Sequence, residues 1–431
     1  MPDKVFCDPV YRHIIFDKDK DAVLLQLLGC PEVQRLRRVR QLGVSYLTYH
    51  GAEHSRFSHA LGTCHLMTTA LEVLGRNCTL DLPEDVRLAS RCAALLHDLG
   101  HGPFSHLTEK VCGVKHEQVT NSIILEDTSV TKVLSAHSAG FPALVSGIFL
   151  GENPEFRYVS DILSSQLDVD RMDYLLRDAY FCGVPYGSYD YLRILHTMSL
   201  EPFAEDGLVH PVWLTKGKHA VEQFLYARFY MYWAVYYHKT TCGFEALFAA
   251  IMKRARKVKE ADLAKITFLP GVVELVTGKA TTAQFLQTDD HIMMAQINLW
   301  LSAGDAILAD LCRRLMTRDG FKPIGPVIMK LSSPDAVLRV REFLESKGFP
   351  YEYYFPGKTS VAVAYDYYRP DKEEKSPKTE IRLTKGSVQQ EISRELKGVR
   401  ALIDETREES YYYIPREFWP EMEPMLKPLL A

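Results

Sequence analysis

Several stretches of this chain repeat apolar side chains every three to four positions and then stop at glycine or proline, a pattern that commits them to helix. Residues 85–99 carry Val86, Leu88, Ala89, Cys92, Ala93 and Leu96 on that spacing and meet Gly100 and Pro103. Residues 58–74 do the same and meet Gly75. Residues 168–181 place Met172, Leu175, Leu176 and Ala179 on one face and run into Gly183 and Pro185. Residues 221–237 add an aromatic-rich helix candidate, and strands are hard to find before about residue 320. A chain so patterned folds as a mainly α-helical body. With 431 residues and 47% hydrophobic side chains it buries enough core to fold without disulfides or metal.

The pattern changes near residue 321. Residues 326–331 are a short β-rich run, 334–347 read as a helix with Gly348 just beyond, and 351–354, 360–365 and 380–383 read as strands. Residues 369–378 are charged, hold two prolines and read as an exposed loop. The expected layout is a helical domain over 1–320 and a smaller C-terminal α/β appendage over 321–431, without internal repeats.

Composition narrows the function. A net charge of -4 argues against a basic surface that coats nucleic acid. The 9 cysteines stand singly with no Cys-x-x-Cys pair, so neither a disulfide framework nor a cysteine zinc site is expected. Met1-Pro2-Asp3-Lys4 lacks the apolar run of a signal peptide, and residues 224–237, the most apolar stretch, contain Arg228 and are too short to span a bilayer. These features predict a soluble cytoplasmic protein with no membrane or nucleic-acid partner.

Histidines are concentrated in the first 116 residues: His13, His50, His54, His59, His65, His97, His101, His106 and His116. The densest run is His97-Asp98-Leu99-Gly100-His101-Gly102-Pro103-Phe104-Ser105-His106, directly after a predicted helix. Imidazole and carboxylate are the ligands of borderline divalent ions such as zinc, manganese or iron. Neighbours on a helix lie about 100° apart, so His97 and Asp98 can both reach one ion beside the helix. They cannot close its shell, and further ligands must come from other helices. A lone His-Asp pair is more often a surface helix end. Here the carboxylate ends an apolar helix, where it would be poorly solvated without a partner, and two more histidines follow.

The segment resembles the HD phosphohydrolase superfamily, whose metal shell reads His…His-Asp…Asp. His59 fits the first position, within Gly51-Ala52-Glu53-His54-Ser55-Arg56-Phe57-Ser58-His59-Ala60-Leu61-Gly62. Asp170 fits the last, within Leu167-Asp168-Val169-Asp170-Arg171-Met172-Asp173-Tyr174-Leu175-Leu176-Arg177-Asp178. The order and surroundings resemble the branch holding bacterial dNTP triphosphohydrolases and the vertebrate SAM-and-HD-domain dNTPase. Lys4-Val5-Phe6, Gln34-Arg35-Leu36-Arg37 and Gln41-Leu42-Gly43 are similar to that branch as well, as is Ile381-Arg382-Leu383-Thr384-Lys385 more weakly. The chain has no room for a SAM domain, so the stand-alone bacterial layout fits better.

The resemblance implies a fold, an activity and a set of roles. His59, His97, Asp98 and Asp170 would hold one divalent ion per chain (manganese, iron, zinc or nickel), with magnesium as the nucleotide's counter-ion. Attack at the α-phosphate would release deoxynucleoside and intact triphosphate. His101 and Arg56 would contact the α-phosphate. His106 would transfer the proton, supported by His116 and by Glu109, which stands where the vertebrate enzyme has Asp. Arg171, where that enzyme has Lys, and Arg228 would grip the triphosphate, since a guanidinium binds phosphate oxygens as a fork. Gln41, Leu42, Tyr174, Asp178 and Tyr236 would line the deoxyribose, although tyrosines on apolar helices are more often core. A homotetramer is implied, with an activating nucleotide at a subunit interface held by Lys4, Val5, Gln34, Arg37, Arg382 and Lys385. Gly29 and Cys7 depart from the vertebrate pattern at that allosteric site, and its residues also read as plain surface charges.

Two other readings share these features. The metal shell also serves HD phosphodiesterases, alarmone hydrolases and nucleases; His101, His106 and His116 with Arg56 and Gln41 favour the dNTPase. A non-catalytic nucleotide- or RNA-binding HD protein would have no need of the complete ligand set.

Overall fold

The computed structural model describes residues 3–78, 82–325, 334–362, 365, 380–386, 388–404 and 407–430. It is mainly α-helical with a small C-terminal α/β part, as the periodicity predicts. The site is carried by helices α1 (Arg56–Asn77), α2 (Glu84–Leu96), α3 (His106–Cys112), α4 (His116–Leu125) and α5 (Val169–Cys182). Two further helices, α6 (Lys218–Met231) and α7 (Lys239–Glu260), follow, and a π-helical turn over Tyr232–Tyr236 succeeds α6 where an unbroken helix is predicted.

The described residues form two buried apolar clusters. One packs α1, α2, α5 and α6 through residues such as Leu61, Ala93, Met172 and Phe224. The other gathers around α7 through Leu247, Phe248 and Ile251, with Trp300 and Leu311 from the helices Asp290–Trp300 and Ala306–Met316. Phe104 and Leu107 belong to the second cluster, whereas Leu96 and Leu99 belong to the first. The histidine-rich run therefore crosses the seam between two cores, a common place for a binding cleft.

Strands exist well before residue 320, contrary to expectation. A hairpin pairs β1 (Lys4–Asp8) with β2 (Arg12–Phe16), burying Ile14 and Phe16 on one face. A second pairs β3 (Met198–Pro202) with β4 (Val209–Leu214). These strands are only five or six residues long, too short for their alternation to stand out. In the C-terminal part, β5 (Lys322–Ile324), β6 (Gly357–Ala362) and β9 (Arg407–Ile414) form one sheet in the order β5-β9-β6. Strands β7 (Arg382–Lys385) and β8 (Val388–Glu391) extend the β3-β4 hairpin, with β7 parallel to β4. Packing is thus continuous across residue 320: Ile381, Leu383 and Val399 sit in the first cluster, and Tyr413 and Ile414 in the second.

The helix expected over 334–347 is present as Pro334–Ser346. The strand expected over 351–354 is instead a helical turn, Tyr351–Tyr354, started by Pro350 and pinned by the buried rings of Tyr353 and Tyr354. Tertiary burial of aromatics outweighs their strand preference there. The strand expected over 360–365 is present in part, at Gly357–Ala362, with residues 363 and 364 outside the described residues, and that over 380–383 lies at Arg382–Lys385. The runs 326–331 and 369–378 fall outside the described residues. Among the described residues no single helix is long and apolar enough to cross a membrane. One bent pair, Ser129–His137 with Phe141–Leu150, passes on length and composition, but Leu134, Phe141 and Val145 are buried.

Two glycines bring the helices close enough to build the site. A Cβ at Gly62 would strike the Asp173 carboxylate on α5. A Cβ at Gly100 would strike the His116 carbonyl and Thr120 at the start of α4. Thr120 Oγ1 accepts from Gly100 N at 2.9 Å and donates to His97 O at 3.0 Å, closing the end of α2. We expect Gly62→Ala to cost about 3 kcal/mol, because the methyl displaces a buried ion pair. A lowered thermal midpoint would register this; an unchanged one would contradict the packing described.

Candidate active site

Four side chains from three elements meet at one point. His59 comes from the first turn of α1, His97 and Asp98 from the end of α2, and Asp170 from the first turn of α5. His59 Nε2 lies 3.2 Å from His97 Nε2, 3.0 Å from Asp170 Oδ1 and 3.6 Å from Asp98 Oδ2. His97 Nε2 lies 3.4 Å from Asp98 Oδ1 and 3.6 Å from Asp170 Oδ1. Such spacings suit the edges of a shell whose metal–ligand bonds are about 2.0–2.2 Å.

The other ring nitrogens fix the roles. His59 Nδ1 donates to Asp173 Oδ2 at 2.7 Å and His97 Nδ1 to Ala94 O at 2.8 Å, which leaves both Nε2 lone pairs facing the centre. Metal-binding histidines are held this way, so the residues fit a divalent ion. Asp173 is clamped by Arg177 through two 2.9 Å bonds, and Arg177 reaches on to Asp8 of β1 at 2.8 Å. The sequence reading gave Asp173, Arg177 and Asp8 no role; the i,i+4 spacing of the first two was the available signal. His59, His97 and Asp98 are buried, whereas the Asp170 side chain is 30% exposed, so the centre opens on that side.

It opens into a chamber of about 450 Å³ that also receives His101, His106, His116 and Arg171. Arg56 is buried against Asp98 and donates to Ser105 Oγ at 2.6 Å. Burial would raise the Asp98 carboxyl, but Arg56, His97 and His101 together outweigh it and hold Asp98 well below the usual range. Burial and that same guanidinium push the His101 imidazole well down, favouring its neutral form. His101 stacks on His116 with centroids 4.0 Å apart. Its Nδ1 and the Nε of Arg171 are buried with no hydrogen-bond partner among the described residues, leaving donors and acceptors for a ligand.

Phe104 and Ser105 adopt φ of 57° and 58°, a region costing non-glycine residues about 1–3 kcal/mol each. Phe104 N donates to Asp290 Oδ1 at 2.7 Å and Ser105 Oγ donates to Arg40 O at 2.6 Å, holding the turn. It delivers His106 to the chamber at the start of α3, with its side chain 59% exposed. Glu109 Oε2 lies 3.1 Å from His106 Nδ1 and 2.9 Å from His116 Nδ1. Burial would raise the Glu109 carboxyl, but these imidazoles outweigh it and bring it to about 2. His101, His106, Glu109 and His116 form a second group of metal-capable donors. There both Nδ1 atoms turn to the one carboxylate, a poorer fit to an ion than the first group.

A second chamber, of about 290 Å³, adjoins the first and shares Gln41, Arg56, His106 and Tyr174 with it. Leu42, Asp178 and Tyr236 line it. Asp178 accepts from Tyr236 Oη at 2.8 Å and pairs with His54 Nε2 at 2.7 Å, a partner the sequence reading missed. Gln41 Oε1 is buried and unbonded. Arg228 lines neither chamber: it is buried, bonded to Gln166 at 2.8 Å and set behind the Tyr232 ring.

The residues assigned to an allosteric site divide. Lys4, Gln34 and Arg37 line one groove of about 360 Å³ beside Phe57, with Val5 exposed on the same strand as Lys4. Arg382 and Lys385 lie elsewhere on β7, Arg382 paired with Glu205 and Glu380. Within one chain the structure does not bring the two sets together.

Two histidines and two aspartates converging from helices, beside a chamber lined by arginines and further histidines, define a metal-binding HD hydrolase. The chain belongs to the HD-domain phosphohydrolase superfamily: the HD domain family matches residues 56–178, spanning the whole ligand set. It is 36% identical to the uncharacterized protein YwfO of Bacillus subtilis over 96% of this chain and 93% of that one. A crystal structure of a phosphohydrolase from Bacteroides thetaiotaomicron superposes with a TM-score of 0.78 at 26% identity, covering 96% of this chain and 99% of that one. Deoxynucleoside triphosphate triphosphohydrolase SAMHD1 of Danio rerio is 30% identical over 45% of this chain and 36% of its own length.

Proposed function

We propose that this hydrolase cleaves deoxynucleoside triphosphates to deoxynucleoside and triphosphate. The observation that carries the reading is the pair of adjoining chambers, one built for phosphate and metal and one for a sugar, with Arg56, His106, Gln41 and Tyr174 at the junction. The similarity to SAMHD1 supports it.

His59, His97, Asp98 and Asp170 would hold one divalent ion (manganese, iron, zinc or nickel). When bound, such an ion polarises the phosphoryl group and acidifies a water. Magnesium would accompany the nucleotide as counter-ion. Arg56, Arg171 and His101 bind the phosphate oxygens. Water attacks the α-phosphorus, the bond to the 5′-oxygen breaks, and His106 delivers a proton to that oxygen. Glu109, charged across the working pH range, holds the His106 ring so that Nε2 faces the leaving group. Asp178 accepts the hydrogen bond of the 3′-hydroxyl, the Gln41 amide N–H donates to its oxygen, and Tyr174 crowds C2′ so that a ribose fits poorly. Arg228 orders this wall from behind.

The groove at Lys4, Gln34 and Arg37 would take an activating nucleotide, completed in a homotetramer by Arg382 and Lys385 of another copy. The experiment is product analysis by ion-exchange chromatography after incubation with each dNTP, singly and in pairs. Free triphosphate with deoxynucleoside is expected, and pairwise stimulation would reveal the activator. Monophosphate with pyrophosphate, or turnover of cyclic nucleotides or alarmones alone, would contradict the proposal.

A further inference from the structure

The second chamber ends in a charged pair that the cleavage chemistry does not use. Glu245, near the start of α7, is ion-paired with Lys358 of β6, and both line that chamber but not the phosphate chamber. Their side chains are only 24% and 22% exposed, so the pair is partly withdrawn from water. In the dNTPase reading Gln41, Tyr174 and Asp178, which line this chamber, take the sugar, and the phosphates extend toward Arg56 and Arg171, which line the other. A deoxynucleotide so oriented sends its base away from the metal, toward Glu245 and Lys358.

We infer that the Glu245–Lys358 pair reads the base and selects a 2-amino-6-oxopurine, guanine. This rests on the dNTPase reading above. A carboxylate offers two acceptor oxygens, and only guanine presents two adjacent N–H groups on one edge, N1–H and the 2-amino group. The neighbouring O6 accepts from the ammonium. Charge-assisted bonds in such a fork are strong and geometrically exacting. Adenine offers one amino group beside an unprotonated ring nitrogen, and cytosine does likewise, so one carboxylate oxygen would stay unpaired. Thymine offers a single N–H between two carbonyls. The pair also links α7 to β6, so the C-terminal part of the chain contributes to substrate choice.

The test compares kcat/KM for dGTP, dITP and dATP on the full-length metal-loaded protein, on Glu245→Gln and on Lys358→Met. Inosine lacks only the 2-amino group. Ratios between substrates on one preparation cancel any loss of folded enzyme. The wild type should prefer dGTP to dITP by about tenfold, the discrimination a good bidentate base contact provides. Glu245→Gln should bring the dGTP:dITP ratio close to one. Lys358→Met should lower dGTP and dITP together relative to dATP, because both carry O6. Turnover with the same ratios in all three proteins would overturn this inference alone. No turnover of any dNTP by the wild type would overturn the dNTPase reading and this inference with it.

Discussion

The Asp170→Ala protein should fold, fail to retain a divalent ion and show turnover reduced to background. Asp170 is the best ligand to remove because its loss does least elsewhere. Its side chain is partly exposed and touches the ring nitrogens of His59 and His97, so alanine strands no buried cation. Asp98→Ala is a harsher change, since it leaves the buried Arg56 guanidinium without its carboxylate. The ion's affinity depends on charged ligands held ready by the fold, and two imidazoles with one carboxylate already engaged by Arg56 hold a cation weakly. We expect turnover to fall by more than about 10³-fold, as when one member of an interdependent catalytic set is lost. Metal content by plasma mass spectrometry, read beside the thermal midpoint, checks this. A variant retaining about one ion per chain and near-normal turnover would refute the ligand assignment.

His106→Ala should behave differently: the ion stays and the rate falls by about 10²–10⁴-fold, the contribution of a positioned proton donor. His106 is largely exposed and its polar partner is Glu109, so alanine should leave the fold and the His59–His97 centre intact. The leaving group supplies a sharper check. A 5′-deoxynucleotide oxygen needs a proton as it departs, whereas p-nitrophenolate does not. On a p-nitrophenyl phosphodiester the variant should therefore lose little rate relative to the wild type. An equal loss on both substrates would assign His106 to binding rather than to proton transfer.

His97 and Asp98 were legible in the sequence because they end a helix marked by apolar repeats and by Gly100, whereas His59 and Asp170 were reached only through the resemblance to the HD family. His97 and Asp98 follow the periodic run of α2, and Asp170 follows the cap residue Asp168, whose side chain accepts from Arg171 N at 2.6 Å. The support behind the ligands was less visible. Asp8 lies far from Arg177 in the chain, and their bond exists only because the β1-β2 hairpin folds back onto α5. The parallel pairing of β4 with β7 joins residues about 170 positions apart, and neither strand is long enough to announce itself. Tyr351–Tyr354 misled because aromatic residues favour strands until a hydrophobic core asks for two of them on one side. The triphosphate role expected for Arg228 came from the family resemblance; in the structure this buried arginine is satisfied by Gln166 instead.

Anomalous diffraction from a manganese-loaded crystal decides whether the four side chains hold a metal. One strong peak is expected, bounded by His59 Nε2, His97 Nε2 and the carboxylates of Asp98 and Asp170. A peak instead among His101, His106, Glu109 and His116, or no peak at either place, would contradict it.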